Sequence, residues 1–183
     1  MVDMSGMGTF ALGLLCIWPI FCLWFHEFGH FLATKVLGYK PIALITLGGI
    51  LPWAVARESI RNNRDEMIVA TAGPSAGFFA SVALAFAAVA SGAWSSTLVW
   101  LPALAVPLSS SIGDFKHLWI ISRYSGEERE RRSIRSVIRT APPSRLCVAI
   151  IFSNDMWPIW KKIQERRLGK KLDFKEVYLR RRL

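Results

Sequence analysis

The sequence predicts an all-α integral membrane protein: a three-span helical core, a short strand-like or re-entrant segment, and a basic cytoplasmic helical tail. Three observations predict it. Hydrophobic residues make up 52% of the 183-residue chain, with a mean hydropathy of +0.33, a composition that suits a bilayer protein. The stretch Phe10 to Phe25 carries no charge at all. The net charge of +10 is confined to one end, because residues 123–183 hold 17 of the 23 Lys and Arg and 7 of the 13 acids, while residues 1–122 are balanced. This shift divides the chain into a membrane-embedded core (1–122) and a basic cytoplasmic or interfacial tail (123–183).

The first predicted span runs from about Phe10 to Leu37, longer than the ~20 residues a crossing needs, with Gly38 and Pro41 marking its exit. The N-terminus lacks the basic segment and small-residue cleavage pattern of a signal peptide, so this segment is expected to remain as an anchor. Residues 39–66 form a polar connection with Lys40, Arg57, Arg61 and Arg64. Within it, Ile42 to Pro52 is apolar but too short to span as a helix. Its Gly48-Gly49 pair and β-branched residues predict a hairpin or re-entrant edge, which is tolerated at membrane depth only against protein or water. The second span is expected from about Met67 to Ala90, with the small-residue segment Ala72-Gly-Pro-Ser-Ala-Gly77 suited to close helix approach. The third is expected from about Thr97 to Ser122.

Beyond residue 123, Ser125-Gly-Glu-Glu128 is a capping-box pattern, and Glu127/Arg131 and Glu128/Arg132 are acid-before-base pairs four apart. Pro142-Pro143 end that helix. Residues 145–160 are apolar with basic flanks and predict an interfacial or re-entrant helix rather than a fourth span. The last twenty residues are polar and basic. By the positive-inside rule the N-terminus and the turn at 92–96 lie outside, and the 39–66 connection and the tail lie in the cytoplasm, against anionic lipid. Nucleic acid is not expected as a partner, since lipid explains the basic tail more simply. Cys16, Cys22 and Cys147 form no CxxC pair and read as small buried hydrophobes.

The chemistry concentrates in His26-Glu27-Phe28-Gly29-His30, which uses two of only three histidines. On a helix, positions i and i+4 share a face, so both imidazoles can grip one metal ion with Glu27 beside it as a base for an attacking water. A zinc ion, one per chain, needs a third protein ligand. Asp114 is the leading candidate. It lies as many residues into the third predicted span as His26 lies into the first, so both reach the same depth. His117, one turn beyond Asp114, and Asp155 are the alternatives. A purely structural role for Asp114 would pair it with Lys116 or Arg123, and Lys116 is expected to snorkel to the surface.

A His-Glu-x-Gly-His motif in one span, a Gly-Pro segment in a second and an Asp in a third resemble the site-2 protease family of intramembrane zinc metalloproteases. His26, Glu27 and His30 match the catalytic motif position for position, Phe31 to Gly38 resembles the continuation of that helix, and Ala72-Gly-Pro-Ser-Ala resembles the second-span motif. The likeness covers roughly residues 10–122. Two positions depart from it: Gly77 stands where many members carry Asn, and Ser111-Ile-Gly-Asp-Phe115 has Gly before the Asp rather than after. The resemblance implies hydrolysis of a peptide bond in or near a transmembrane segment of a single-span membrane substrate. Three other readings compete: a proteolytically silent zinc-binding membrane protein that grips partner helices, an ion- or proton-conducting protein, and a membrane zinc protease of another class using a Glu ligand. Nothing in the sequence sets an oligomeric state.

Overall fold

A computed structural model of the chain describes residues 4–90, 104–105, 107–124, 126, 128–129, 132–133 and 143–179, with side chains described from residue 17 onward. The elements are α1 (Met4–Val36), β1 (Pro41–Leu47), β2 (Leu51–Arg57), α2 (Asn63–Ala90), α3 (Ile112–Arg123), β3 (Cys147–Ile151), α4 (Met156–Leu168) and β4 (Lys175–Tyr178), with a single 3-10 turn at Ser144–Leu146.

The all-α, three-span expectation is overturned. Four strands form one mixed sheet in the order β2-β1-β3-β4, giving an α/β fold. Among the described residues a single helix, Asn63–Ala90, is long and apolar enough to cross a membrane. The first predicted span does form a helix, α1, although side chains 4–16 lie outside the described set. The third does not form a described helix of spanning length: α3 has 12 residues, and residues 91–103 lie outside the described ones. The helix expected over 145–160 is replaced by β3, with α4 starting only at Met156. The physical reason is that short apolar runs carry no period that separates a buried strand from a helix. Cys147-Val-Ala-Ile-Ile151 is such a run, β-branched and buried on alternate residues.

Local chemistry accounts for the element boundaries. Gly38 adopts φ +84°, and the Tyr39 and Gly38 N–H groups donate to Thr34 and Lys35 carbonyls at 3.0 and 3.1 Å, a Schellman motif that closes α1. Gly48 and Gly49, at φ +62° and +82°, make the tight turn joining β1 to β2, with the Ile50 N–H donating to the Leu47 carbonyl. Two successive positive φ values match the right-handed twist of a hairpin. Asn62 opens α2, its Oδ1 accepting the Arg64 N–H at 3.0 Å, and Asp65 and Glu66 place negative charge in the first turn.

Antiparallel pairing joins β1 to β2 and to β3, and β4 adds in parallel to β3. The strands therefore come from both sides of residue 123. As the inner strand, β1 is buried along its middle five residues. One core cluster lies between the sheet and α4, where Trp157 packs on Ile42, Ile45, Cys147 and Ile151. A second lies between α1 and α2, around Trp18, Cys22, Ala85 and Ala88, with the Trp18 indole N–H donating to Ser81 Oγ at 2.8 Å.

Candidate metal centre

The two motif histidines lie one turn apart on α1, facing α2 and α3. His26 Nε2 and His30 Nε2 are 3.2 Å apart. Asp114, in the first turn of α3, reaches both: Oδ2 is 2.8 Å from His26 Nε2 and Oδ1 is 3.3 Å from His30 Nε2. Three side chains from two helices thus form a small triangle, each histidine meeting a different carboxylate oxygen. Tetrahedral zinc with bonds of about 2.0–2.1 Å separates its ligands by about 3.3 Å. The two ring nitrogens already stand at about that separation, and a small shift of the Asp114 carboxylate would bring one oxygen to it, so the donor set fits a metal.

The tautomer of His30 is fixed by its other nitrogen. Nδ1 lies 2.7 Å from the Val69 carbonyl of α2, which can only accept, so Nδ1 carries the proton and Nε2 presents a lone pair. Thr34 holds the next turn of α1, donating its hydroxyl to the His30 carbonyl at 2.7 Å. His26 Nδ1 is buried with no partner among the described residues.

Glu27 is buried beside the histidines. Its carboxylate and the two imidazoles place donor atoms within 4.8 Å of one another, a group able to hold a metal ion. One Glu27 oxygen is unpartnered, and the carboxylate lies beside the Val55 backbone of β2. The edge strand β2, packed along α1, therefore reaches the candidate base directly.

The crossing of α1 and α2 is possible because both helices present small residues there. A Cβ on Gly29 would overlap the Ala72 carbonyl oxygen and come within 2.8 Å of the Ala76 methyl. A Cβ on Gly73 would clash with the His30 ring, most severely at Nε2, and one on Gly77 would come within 3.3 Å of His26 Cβ. The small-residue segment of α2 is thus shaped around the imidazoles themselves, not only around a helix backbone.

The other candidates lie elsewhere. His117, one turn along α3 from Asp114, points to Glu66, with Nε2 2.7 Å from Glu66 Oε1. Asp155 is exposed at the start of α4. Lys116 is exposed and pairs with no acid among the described residues. Sequence reasoning missed Arg57 and Glu66. Arg57 grips the Glu66 carboxylate with two hydrogen bonds of 3.0 and 2.8 Å, so Glu66 ties together β2, α2 and α3. Each member of this clamp lies two or three residues from a group at the site: Arg57 from Val55, Glu66 from Val69, His117 from Asp114. The signal that would have found it is an acid in the first turn of an apolar helix, close behind three arginines.

The surroundings of the centre are unusual for a water-facing cleft. Phe21, Trp24, Phe25 and Phe28 on α1, Phe78, Phe79 and Phe86 on α2, and Phe115 and Trp119 on α3 are all exposed. Exposed apolar residues mark contact with a membrane or a partner where they form one contiguous patch. Comparison with family models, with curated proteins and with solved structures found no match.

Proposed function

We propose that this chain is a zinc metalloendopeptidase of the bilayer, hydrolysing a peptide bond in or near a transmembrane segment of a single-span membrane protein. The observation that carries the reading is the convergence of His26, His30 and Asp114 from two helices, with the buried carboxylate of Glu27 adjoining them. The ligands are His26, His30 and Asp114, and Glu27 is the base. When bound, zinc supplies a Lewis acid that polarises the scissile carbonyl and makes water acidic enough to ionise near neutral pH.

Glu27 takes the proton of the attacking water and delivers it to the leaving amine. Its buried position beside the imidazoles keeps that proton from bulk solvent. The His30 Nδ1–Val69 hydrogen bond holds the imidazole in its ligating tautomer. Supporting the bilayer setting are the exposed aromatic side chains on the three helices around the centre and the candidate span Asn63–Ala90. The basic residues of the tail suit anionic lipid.

A transmembrane substrate hides its carbonyls in helical hydrogen bonds and must be extended to be cut. The sequence suggests Ile45 to Leu51 as the pairing edge, but β1 is flanked on both sides, so the free edge near Glu27 is β2, Leu51–Arg57. Substrate strand addition to β2 is the corresponding proposal.

The test is metal analysis together with cleavage of a panel of single-span substrates by wild type, Glu27→Gln and Asp114→Asn. The expected result is full zinc and no cleavage in Glu27→Gln, and weakened zinc in Asp114→Asn. Cleavage by Glu27→Gln at the wild-type rate rules out the mechanism. Stoichiometric zinc without cleavage of any substrate identifies a silent zinc-binding protein instead.

A further inference from the structure

Away from the metal centre, a cavity of about 250 Å³ opens between the start of α2, α3 and α4. Arg129 lines it and is only 8% exposed. Burying a guanidinium is costly unless its charge is balanced. Its partners are neutral: Nη2 donates to the Ile60 carbonyl at 2.7 Å and more weakly to that of Arg61, and Nη1 donates to Asn63 Oδ1. Among the described residues no carboxylate pairs with it. Among the same residues, five N–H groups meet three acceptors, which leaves two donors without a partner.

Ser133 stands one helical turn beyond Arg129, on the same face, and lines the same cavity. Its hydroxyl is buried with no partner among the described residues. Arg167 of α4 also contributes to the wall. Of the two acids at the cavity, Glu66 is already held by Arg57 and His117, and Glu58 accepts the Lys40 backbone N–H. Arg129 thus brings a positive charge, paired with no carboxylate among the described residues, to the cavity that the Ser133 hydroxyl also lines.

We infer that this cavity is an anion site that takes a phosphate group, bound by the spare Arg129 donors and the Ser133 hydroxyl. Phosphate fits better than a halide because its several acceptor oxygens can meet a forked guanidinium and a hydroxyl together. The apolar side chains of Trp160, Ile159 and Ile163 on α4 complete the wall and offer a surface for an organic substituent on the phosphate. The cavity lies at the N-terminal end of the candidate span, the level at which lipid phosphates sit if α2 crosses a bilayer. A lipid headgroup and a soluble phosphate ester share this chemistry.

The test is thermal unfolding of the full chain in detergent with sodium phosphate against sodium chloride at equal ionic strength, and in nanodiscs of phosphatidylcholine with and without phosphatidic acid. At ten times its Kd the bound anion is expected to raise Tm by about 3–6 °C. A shift with inorganic phosphate shows that a soluble phosphate group is sufficient, and a shift with phosphatidic acid alone identifies the lipid headgroup. Ser133→Ala is expected to weaken binding about tenfold, and Arg129→Gln to abolish the shift. No shift in either medium overturns the proposal, as does a shift of undiminished size in Ser133→Ala.

Discussion

Gly73 of α2 faces the imidazole of His30 so closely that a methyl group at position 73 would overlap the ring edge at Nε2. The ring cannot swing aside freely, because Nδ1 is held by Val69 one turn earlier on the same helix. Gly73→Ala is therefore expected to push His30 out of the donor triangle and lower zinc affinity about 10- to 100-fold, the range seen when a ligand loses its orientation. Gly77→Ala is the comparison, since its Cβ would meet His26 Cβ at a tight but adjustable 3.3 Å. Metal titration of both variants checks the order; equal affinities would mean that Gly73 does not shape the site.

Glu66 is the second point of leverage. It is buried, and it is the shared acceptor for Arg57 and His117, so three elements of the site meet at one carboxylate. Removing one member of a buried ion pair leaves the other uncompensated, at a cost of about 3–5 kcal/mol. Glu66→Gln is expected to lower the thermal unfolding temperature substantially and to weaken zinc binding by loosening α3, which carries Asp114. Glu58→Gln, whose carboxylate accepts only a long backbone bond of 3.4 Å, is expected to change neither. Parallel melting curves and zinc titrations distinguish the two.

The centre was more legible in the sequence than the fold. The grouping of His26, Glu27 and His30 follows from helical spacing, a period that a single sequence carries. Asp114 does lie beside both histidines, but the equal-depth argument that selected it assumed a third span, which the described residues do not form. The Gly48-Gly49 hairpin was also legible, since paired glycines demand positive φ. The sheet as a whole was not. Ile42–Leu47 and Cys147–Ile151 pair across about a hundred residues, and that pairing leaves no local mark. Apolar strands buried inside a sheet look like membrane segments by composition, which turned β3 into an interfacial helix. Lys175–Tyr178 is exposed, short and charged, so it reads as tail, although it forms the parallel edge strand. The Arg57–Glu66–His117 clamp escaped because its members were assigned separately, as connection charges and as an alternative ligand.

That edge strand is fastened to α4 by Lys161 Nζ and Glu176 Oε1 at 2.7 Å, and the Tyr178 hydroxyl donates to the other Glu176 oxygen. Burial alone raises the Glu176 pKa, but the hydrogen bonds from Lys161 and Tyr178 and the lysine charge outweigh it and hold the carboxyl below its ordinary value. A depressed folded-state pKa contributes stability that is present above the ordinary carboxylate range and is lost as pH falls through the lowered value. The pair is partly exposed, so its worth is small, about 1 kcal/mol or less. Glu176→Gln is expected to melt slightly below wild type at pH 7, and the gap is expected to close at acid pH, below the carboxylate range. A gap that persists unchanged in acid would assign the loss to packing.

The last prediction concerns how a peptide reaches Glu27. One edge of β2 is paired with β1, the other has no strand on it among the described residues, and the Val55 backbone lies beside the Glu27 carboxylate. An extended substrate added along β2 would bring its backbone beside the base, its affinity coming from main-chain hydrogen bonds of about 1 kcal/mol each. Pro52 withholds one donor from β2 and so limits self-association through the same edge. A short peptide copied from a cleaved segment is expected to inhibit cleavage. The same peptide N-methylated at alternate amides, on the register that faces β2, is expected to inhibit at least ~10-fold less, because two or more donors are lost. Methylation on the opposite register leaves those donors intact and is expected to be nearly silent. Equal inhibition by both registers would place the substrate against the metal centre without strand pairing, and the role of β2 would then reduce to packing beside Glu27.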